Sequence, residues 1–392
     1  GVVTANLPAG TAGDVIAFAD YAATWQTNNV TVSPNGAEKI GAIAQDATLS
    51  TEGQSVTFVY VDSTQGWINT MDSTSNVRGT PPFMAATVSG ACNTLVTAPD
   101  CANVKIATFT GPGTFCVSRA AVCASNNLVS YMVVAGGGGG GFDRAGGGGA
   151  GGFREVVSPS SPYTGSPLDG YATPGNRITV TATGYPITVG GAGGGLPSGP
   201  SQADAGTGTT SVFSTITSAG GGRAGSGPGV YSVGGNGGSG GGSDAYGFPN
   251  SAPNMAAGSG NTPPTTPAQG TNGGVGKYNS PNGSGRGGGG GGATVAGTSS
   301  TPGGNPGGAG ATTSISATPT AYGGGGGGGD CGPGAPTGGT GGGGNGSSDS
   351  TASTAAGINT GGGGGGGNGG GGCNAGGSGG GSGIVIIRYK FQ

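Results

Sequence analysis

Histidine is absent from all 392 residues. That absence excludes Ser-His-Asp and Cys-His catalysis and any Cys/His zinc site. Charge is nearly as scarce, with 12 Lys+Arg and 15 Asp+Glu making up 7% of the chain and a net charge of −3. Twelve scattered cations form no basic patch, so nucleic-acid binding has no support. No stretch approaches the roughly 18–20 apolar residues that cross a bilayer, so membrane insertion has none either. The apolar fraction is 32%, too little for a thick hydrophobic core.

Motifs of chemistry are equally thin. GxGxxG matches recur in the glycine runs but lack a strand–helix context. Gly274-Val-Gly-Lys277 fails as a phosphate-binding loop, because Thr271 stands where the first glycine belongs and Tyr278 where Ser or Thr is required. Glu155 and Asp169 are close in sequence, but a glycosidase pair is defined by a separation in space. Asn29-Val-Thr, Asn282-Gly-Ser and Asn345-Gly-Ser match a glycosylation sequon and read as ordinary turns. The chain opens at Gly1 with neither initiator Met nor signal peptide, as expected of the processed or ordered part of something longer. No enzyme activity, cofactor or metal is expected.

What is abundant is glycine: 103 residues, eleven before residue 131 and 92 after it. The 92 include unbroken runs at 136–141, 287–292, 323–329 and 361–367. Composition alone suggests a flexible linker. Collagen requires glycine at every third place, and no such register persists. The remaining reading is a stack of polyproline-II-like helices, with three residues per turn and about 3.1 Å of rise per residue. Such a helix bonds nothing internally, so every N–H and C=O must find a partner outside it. Without Cβ atoms, neighbouring helices approach until those groups bond one another. Runs of similar length then become parallel rods of one slab, with the inserts as loops at its two ends.

The fold class is therefore all-β: small N-terminal β-structure followed by a glycine-rich domain of packed polyglycine helices, with little or no α-helix. Residues 1–80 read as a β-rich domain with strands at 14–18, 30–32, 55–61 and 66–69. Val56, Phe58 and Tyr60 fall on one face of the third and Val59 and Val61 on the other, suggesting burial on both faces. Pro34-Asn35-Gly36 marks a turn. Residues 81–135 read as a cysteine-containing connector and β-hairpin platform, with strands around Gly111-Pro112-Gly113. Residues 136–383 are the rod domain, in which 177–183 and 186–189 are β-like, and 384–392 a closing strand. The apolar segments 128–134 and 384–391, one entering and one leaving the glycine region, are expected to pair.

Six cysteines are present: Cys92, Cys101, Cys116, Cys123, Cys331 and Cys373. Cys116 and Cys123 flank a turn at 119–120 and suit a cross-hairpin disulfide. Cys92 and Cys101 flank a short Pro/Asp loop and form a second candidate pair. Cys331 and Cys373 each lie beside a glycine run, where they could staple two rods. Free buried thiols are the alternative, and the even count in a chain without a thick core tilts towards disulfides.

Two sets of segments carry a resemblance. The first runs from Val104-Lys-Ile-Ala-Thr-Phe-Thr-Gly-Pro-Gly-Thr-Phe115 through Tyr131-Met-Val-Val-Ala135, the glycines that follow and 146–153. It continues with Ile187-Thr-Val-Gly-Gly191, Thr210-Ser-Val-Phe213, Ala219-Gly-Gly-Gly222 and Gly383-Ile-Val-Ile-Ile-Arg-Tyr389. This ordered set, over about residues 104–392, resembles the glycine-rich (polyglycine II) domain of tailed-bacteriophage tail-fibre adhesins. Asn28–Gly36, Leu49-Ser-Thr51, Val59-Tyr60-Val61 and Gly66-Trp67 resemble a small β-domain of fibre tips. The resemblance implies a homotrimer carried on the virion, outside the cell. It would meet other tail-fibre or baseplate proteins and a bacterial surface protein or glycan. Cys116 departs from the plain polar or β-branched strand residue expected there, and the insert loops match no pattern.

A scaffold bonded through its backbone tolerates varied inserts at its ends, and binding by loops on a rigid scaffold recurs in recognition proteins. Tyrosine supplies large contact area at low entropy cost. Tyr163, Tyr171, Tyr231, Asp244, Tyr246, Phe248, Tyr278 and Tyr322 are accordingly the candidate receptor-binding residues, whereas Phe142 and Phe153 beside glycine runs read as packing. The expectation is a host-binding adhesin. The rival is a purely structural fibre component, whose aromatics would be buried between chains. An ice-binding rod protein would want flat, regular faces, against which the irregular inserts argue.

Overall fold

The computed structural model describes residues 2–73, 83–199, 204–227, 233–245, 256–279, 284–300, 305–330, 332, 334–369 and 375–392. The chain divides into two compact units, Gly1–Thr80 and Pro81–Gln392. Among the described residues the fold is all-β, with two short 3₁₀ turns and no α-helix.

The first unit packs two three-stranded sheets against each other. One holds Val3–Asn6, Val30–Ser33 and Ala47–Leu49, the first two running parallel. The other holds Val15–Ala19, Ser55–Asp62 and Gly66–Ser73, all antiparallel. Alternation along Ser55–Asp62 sends Val56, Phe58 and Tyr60 into the shared core with Trp25, Val32 and Trp67. The opposite face is not buried as the sequence suggested: Thr57 and Val59 are half-covered and Val61 is 41% exposed. Asn35 accepts the Glu38 N–H at 3.0 Å and Gly36 takes φ +56°, closing the anticipated turn.

The second unit is built on two five-stranded sheets. The first runs Phe153–Val156, Ser130–Val134, Ile384–Lys390, Cys101–Phe109, Thr94–Ala98, and the second Ile216–Ser218, Ser211–Phe213, Gly184–Thr188, Gly113–Arg119, Ala85–Val88. The expected pairing of the two apolar segments is observed, antiparallel, with Val134 opposite Ile384 and Ser130 opposite Arg388. The last strand does more than close the region, because it is the middle strand of its sheet. Its alternate side chains feed two cores. Val385, Ile387 and Tyr389 join Phe109, Phe115, Tyr131 and Phe213 between the sheets. Ile384 and Ile386 join Met132, Phe153, Ile315 and Tyr322 on the other side.

Three expectations for this region are corrected. Residues 81–103 are no bare connector, since they carry Ala85–Val88 and Thr94–Ala98. The Gly111–Gly113 turn makes no hairpin: Cys101–Phe109 and Gly113–Arg119 lie in different sheets, which lets Phe109 and Phe115 both face the shared core. Of 177–183, Thr179 alone makes a β-bridge, to Leu128, while the second β-like stretch forms Gly184–Thr188.

Beyond Val134 the backbone becomes a rod. Gly136 and Gly139 donate to Thr209 O and Gly206 O, Gly137 and Gly140 to Gly381 O and Ser378 O, and Gly138 and Gly141 to Gly149 O and Gly146 O. Their carbonyls accept with the same period. Gly136 and Gly139 receive Gly221 and Ala224, Gly137 and Gly140 receive Gly193 and Leu196, and Gly138 and Gly141 receive Gly364 and Gly367. A partner that recurs every third residue is the mark of a three-residue turn. The rod at 136–141 therefore has six neighbours, three parallel and three antiparallel, and is the centre of a hexagonal array bonded through backbone alone. Rising or falling residue numbers at successive partners set each direction. A methyl added at Gly137, Gly138 or Gly139 would overlap the carbonyl of Gly362, Gly222 or Gly194. At rod spacing there is no room for a Cβ.

Candidate functional site

Because the rods are bonded in register, the described inserts lie at one of two ends. The sheet end is where 134–136, 152–153 and 383–384 pass between strand and rod. The far end is where the chain turns back, as at 142–145.

At the sheet end the inserts are folded onto the sheets. Glu155, on Phe153–Val156, is buried. Its Oε1 accepts from Tyr163 OH at 3.0 Å and from Thr313 Oγ1, and its Oε2 from the Ser166 N–H at 2.8 Å. Burial raises its pKa, and those donors pull it back in part. Asp169 Oδ1 accepts the N–H groups of Val157 and Tyr171, each at 3.0 Å. Asp169 is thus engaged within its own loop, and Glu155 by its own loop and by Thr313 of Ala311–Thr313.

Tyr163 lies with its ring 5.4 Å from the guanidinium of the buried Arg388. Burial first, and the adjacent Glu155 second, push its phenol well above the ordinary value. Arg388 Nη2 donates to Asp100 Oδ2 at 3.0 Å. Tyr322 is buried in the core beside Phe153 and Ile315, and burial raises its pKa. Tyr171 stays half-exposed under the Arg177 guanidinium, 4.3 Å from its ring centroid. Of these three sequence candidates, Tyr322 is buried in the core, and Tyr163 and Tyr171 are partly buried, each packed against a core cluster.

Among the described residues, the far end holds two of the other candidates, Asp244 and Tyr278. Asp244 sits there, since the next residue, Ala245, donates to Arg144 O at 3.1 Å; its side chain is fully buried. Tyr231, Tyr246 and Phe248 lie outside the described residues, in segments bracketed by Gly227 and Val233 and by Ala245 and Ala256. Tyr278 is on the hairpin Lys277–Asn279/Ser284–Arg286. Asp143, Arg144, Asp204, Lys277, Arg286, Asp330 and Asp349 are at this end too, and Arg223 reaches Asp204 at 3.0 Å. Within 136–383 the remaining charges, Arg154, Glu155, Asp169 and Arg177, all belong to the sheet end. Arg223 lies within the rod at 219–225, its carbonyl accepting the Gly235 N–H at 2.8 Å, and its side chain reaches Asp204 at the far end.

The cysteine pairs are corrected. Cys92, Cys101, Cys116 and Cys123 are free thiols. Cys116 points outward from a strand opposite Thr87 and Gly184, and Cys123 lies beyond the turn at the start of a 3₁₀ helix. Cys92 occupies the tight turn before Thr94–Ala98, at φ +63°, and Cys101 faces the core around Met132 and Ile386. Cys331 and Cys373 lie outside the described residues.

Sequence reasoning missed an exposed surface on the first unit. Val15 (62%), Met71 (68%) and Val61 stand on the outer face of the Val15–Ala19 sheet with Ala17 and Ala19, and Tyr21 is 92% exposed. The alternation in Val15–Ala19 was visible in the sequence, but not that the second face lacks cover.

Among the described residues no three His, Cys, Asp or Glu gather as metal ligands, and no helix is long and apolar enough to cross a membrane. Comparison with curated proteins finds no match. A family model described as a glycine-rich domain matches residues 110–390, from the Gly111 turn through every rod to the last strand. The chain belongs to this glycine-rich domain family.

Proposed function

We propose that the protein is the distal part of a bacteriophage tail fibre, a non-enzymatic adhesin that touches the host surface through the far-end loops. The observation that carries this reading is the sorting of inserts. Tyr163 and Tyr322 are spent on packing at the sheet end, while most of the charges of 136–383 collect at the far end of a scaffold bonded through its backbone. Such a scaffold holds loops in place without constraining their sequence. The ordered resemblance over residues 104–392 supports a place on the virion, outside the cell.

The apolar outer face of the first unit, with Val15, Val61 and Met71 exposed, supports assembly as a homotrimer that joins other fibre or baseplate proteins. A patch of this kind on a soluble unit marks an interaction surface. The partner at the far end is a bacterial surface protein or glycan.

The test replaces residues 246–255 with a short Gly-Ser linker and measures saturable binding of the labelled protein to a panel of bacterial strains. Strain-selective binding by the intact chain, reduced at least 100-fold by the replacement at unchanged thermal stability, is the expected result. Binding that survives the replacement, or none on a broad panel, would overturn the reading in favour of a purely structural fibre component.

A further inference from the structure

Far-end loops have no lattice to hold them, so their arrangement depends on bonds made among themselves. One residue is common to four of them. Asp330 follows the rod at 323–329 and its side chain is 4% exposed. Its Oδ1 accepts from Arg286 Nε at 3.0 Å, which ties in the hairpin Lys277–Asn279/Ser284–Arg286, and from the Gly332 N–H at 2.9 Å, which folds its own loop back. Its N–H donates to Ser347 O at 3.0 Å, and its carbonyl accepts from Asn368 Nδ2 at 2.9 Å. Asn368 in turn exchanges both backbone bonds with Ala375, the two ends of the loop that follows 361–367. Gly332 O accepts the Asp349 N–H at 3.4 Å, extending the set to the loop after Ser347.

The other far-end ion pairs are simpler. Asp204–Arg223 joins two segments and is partly exposed, with side chains 43% and 22% accessible, and Asp143–Arg144 links sequence neighbours at 3.9 Å. A carboxylate buried as deeply as that of Asp330 is held in place by its donors, because an unpaired buried charge is strongly unfavourable. The charge-assisted bond to Arg286 also has directional preference. We infer that Asp330 is a positioning residue of the far end: its carboxylate ties Arg286, at the end of the hairpin Lys277–Asn279/Ser284–Arg286, to Gly332, and its backbone joins Ser347 and Asn368, so that the contact surface is composite. This rests on the reading of the far end as the surface that meets the host.

The experiment compares the full chain with Asp330→Ala, Asp330→Asn and Arg286→Lys by hydrogen exchange with mass spectrometry and by adsorption to a strain the intact chain binds. Asp330→Ala, which removes the carboxylate and leaves the backbone bonds to Ser347 and Asn368, is expected to raise exchange at least tenfold at 284–286 and at Gly332 together and to lower adsorption at least tenfold. Exchange in Ile384–Lys390 stays unchanged. Asp330→Asn, which keeps an accepting oxygen, falls between. If Asp330→Ala does not fold, Asp330→Asn and Arg286→Lys decide the matter by the same joint loosening. Exchange within twofold of the intact chain, or loosening confined to 330–335, would overturn the inference. Should the intact chain bind no strain, the adhesin reading fails while the exchange result still decides the role of Asp330.

Discussion

The N–H of Gly138 meets the carbonyl of Gly149 at 2.9 Å, joining two antiparallel rods with no side chain at the contact. The Gly138 carbonyl meanwhile accepts from Gly364, a parallel rod more than two hundred residues later in the chain.

A methyl at Gly138 would overlap the Gly222 carbonyl, whereas a methyl at Gly194, on the outer rod, meets nothing within 4 Å. Gly138→Ala is expected to destabilise the second unit by about 3 kcal/mol or more, at the upper end of overpacking costs, because backbone surrounds the site. Gly194→Ala should stay within about 0.5 kcal/mol of the parent. Denaturant unfolding of both variants checks the contrast, and equal effects would refute the packing account.

The sheet Phe153–Val156, Ser130–Val134, Ile384–Lys390, Cys101–Phe109, Thr94–Ala98 has Ile384–Lys390 in the middle. Ile387 is fully buried there, in the core of Phe115, Tyr131 and Phe213. Ile387→Ala should destabilise the second unit by about 2–5 kcal/mol. Truncation after Gly383 should abolish its cooperative transition in calorimetry, and a retained transition would mean that the rods fold without the sheet.

Glu155 gives the second unit a pH dependence of defined sign. Burial raises its folded pKa above the unfolded value, so the fold favours the protonated acid. Its contribution is fully present below the ordinary carboxyl range and is lost as pH rises through the raised folded value. Melting temperatures from pH 4 upward should therefore decline more steeply for the parent than for Glu155→Gln. Parallel profiles would show that the hydrogen bonds from Tyr163, Thr313 and Ser166 fully offset burial.

Cys92, Cys116 and Cys123 are exposed thiols and Cys101 is half-covered. Hydrogen bonds from Ser125 hold the Cys123 thiol below its ordinary pKa, and the thiolate is the reactive form. Alkylation of the folded, unreduced protein followed by peptide mass spectrometry should label Cys123 fastest and Cys101 slowest. Peptides containing Cys116 and Cys123 joined by a disulfide would contradict the structure.

The uneven placement of glycine was enough to foresee an all-β fold with rods, because a residue without Cβ at six or seven consecutive positions has few ways to pack. The pairing of 130–134 with 384–390 was legible from two apolar segments at the borders of that region. The cysteine pairs were misjudged because proximity in sequence was taken for proximity in space. Cys116 stands on Gly113–Arg119 opposite Thr87 and Gly184, and Cys123 lies past that strand at the start of a 3₁₀ helix, with no hairpin to bring them together. The candidate aromatics were gathered by residue type, which does not reveal the end of the lattice to which an insert returns. Tyr163 and Tyr322 turned out to follow strand-side returns, and their rings fill the core beside Phe153.

By itself, then, the sequence determined the material of the protein: backbone rods with polar inserts, little charge, and apolar strands where the glycines begin and end. Tertiary structure decided the rest. Rod length and register fixed which inserts share an end, since hydrogen bonds every third residue leave each rod one alignment with its neighbours. Burial separated the tyrosines that pack from those that remain available. The meeting of four loops at Asp330 follows from rods far apart in sequence lying side by side, a relationship that no local pattern of residues encodes.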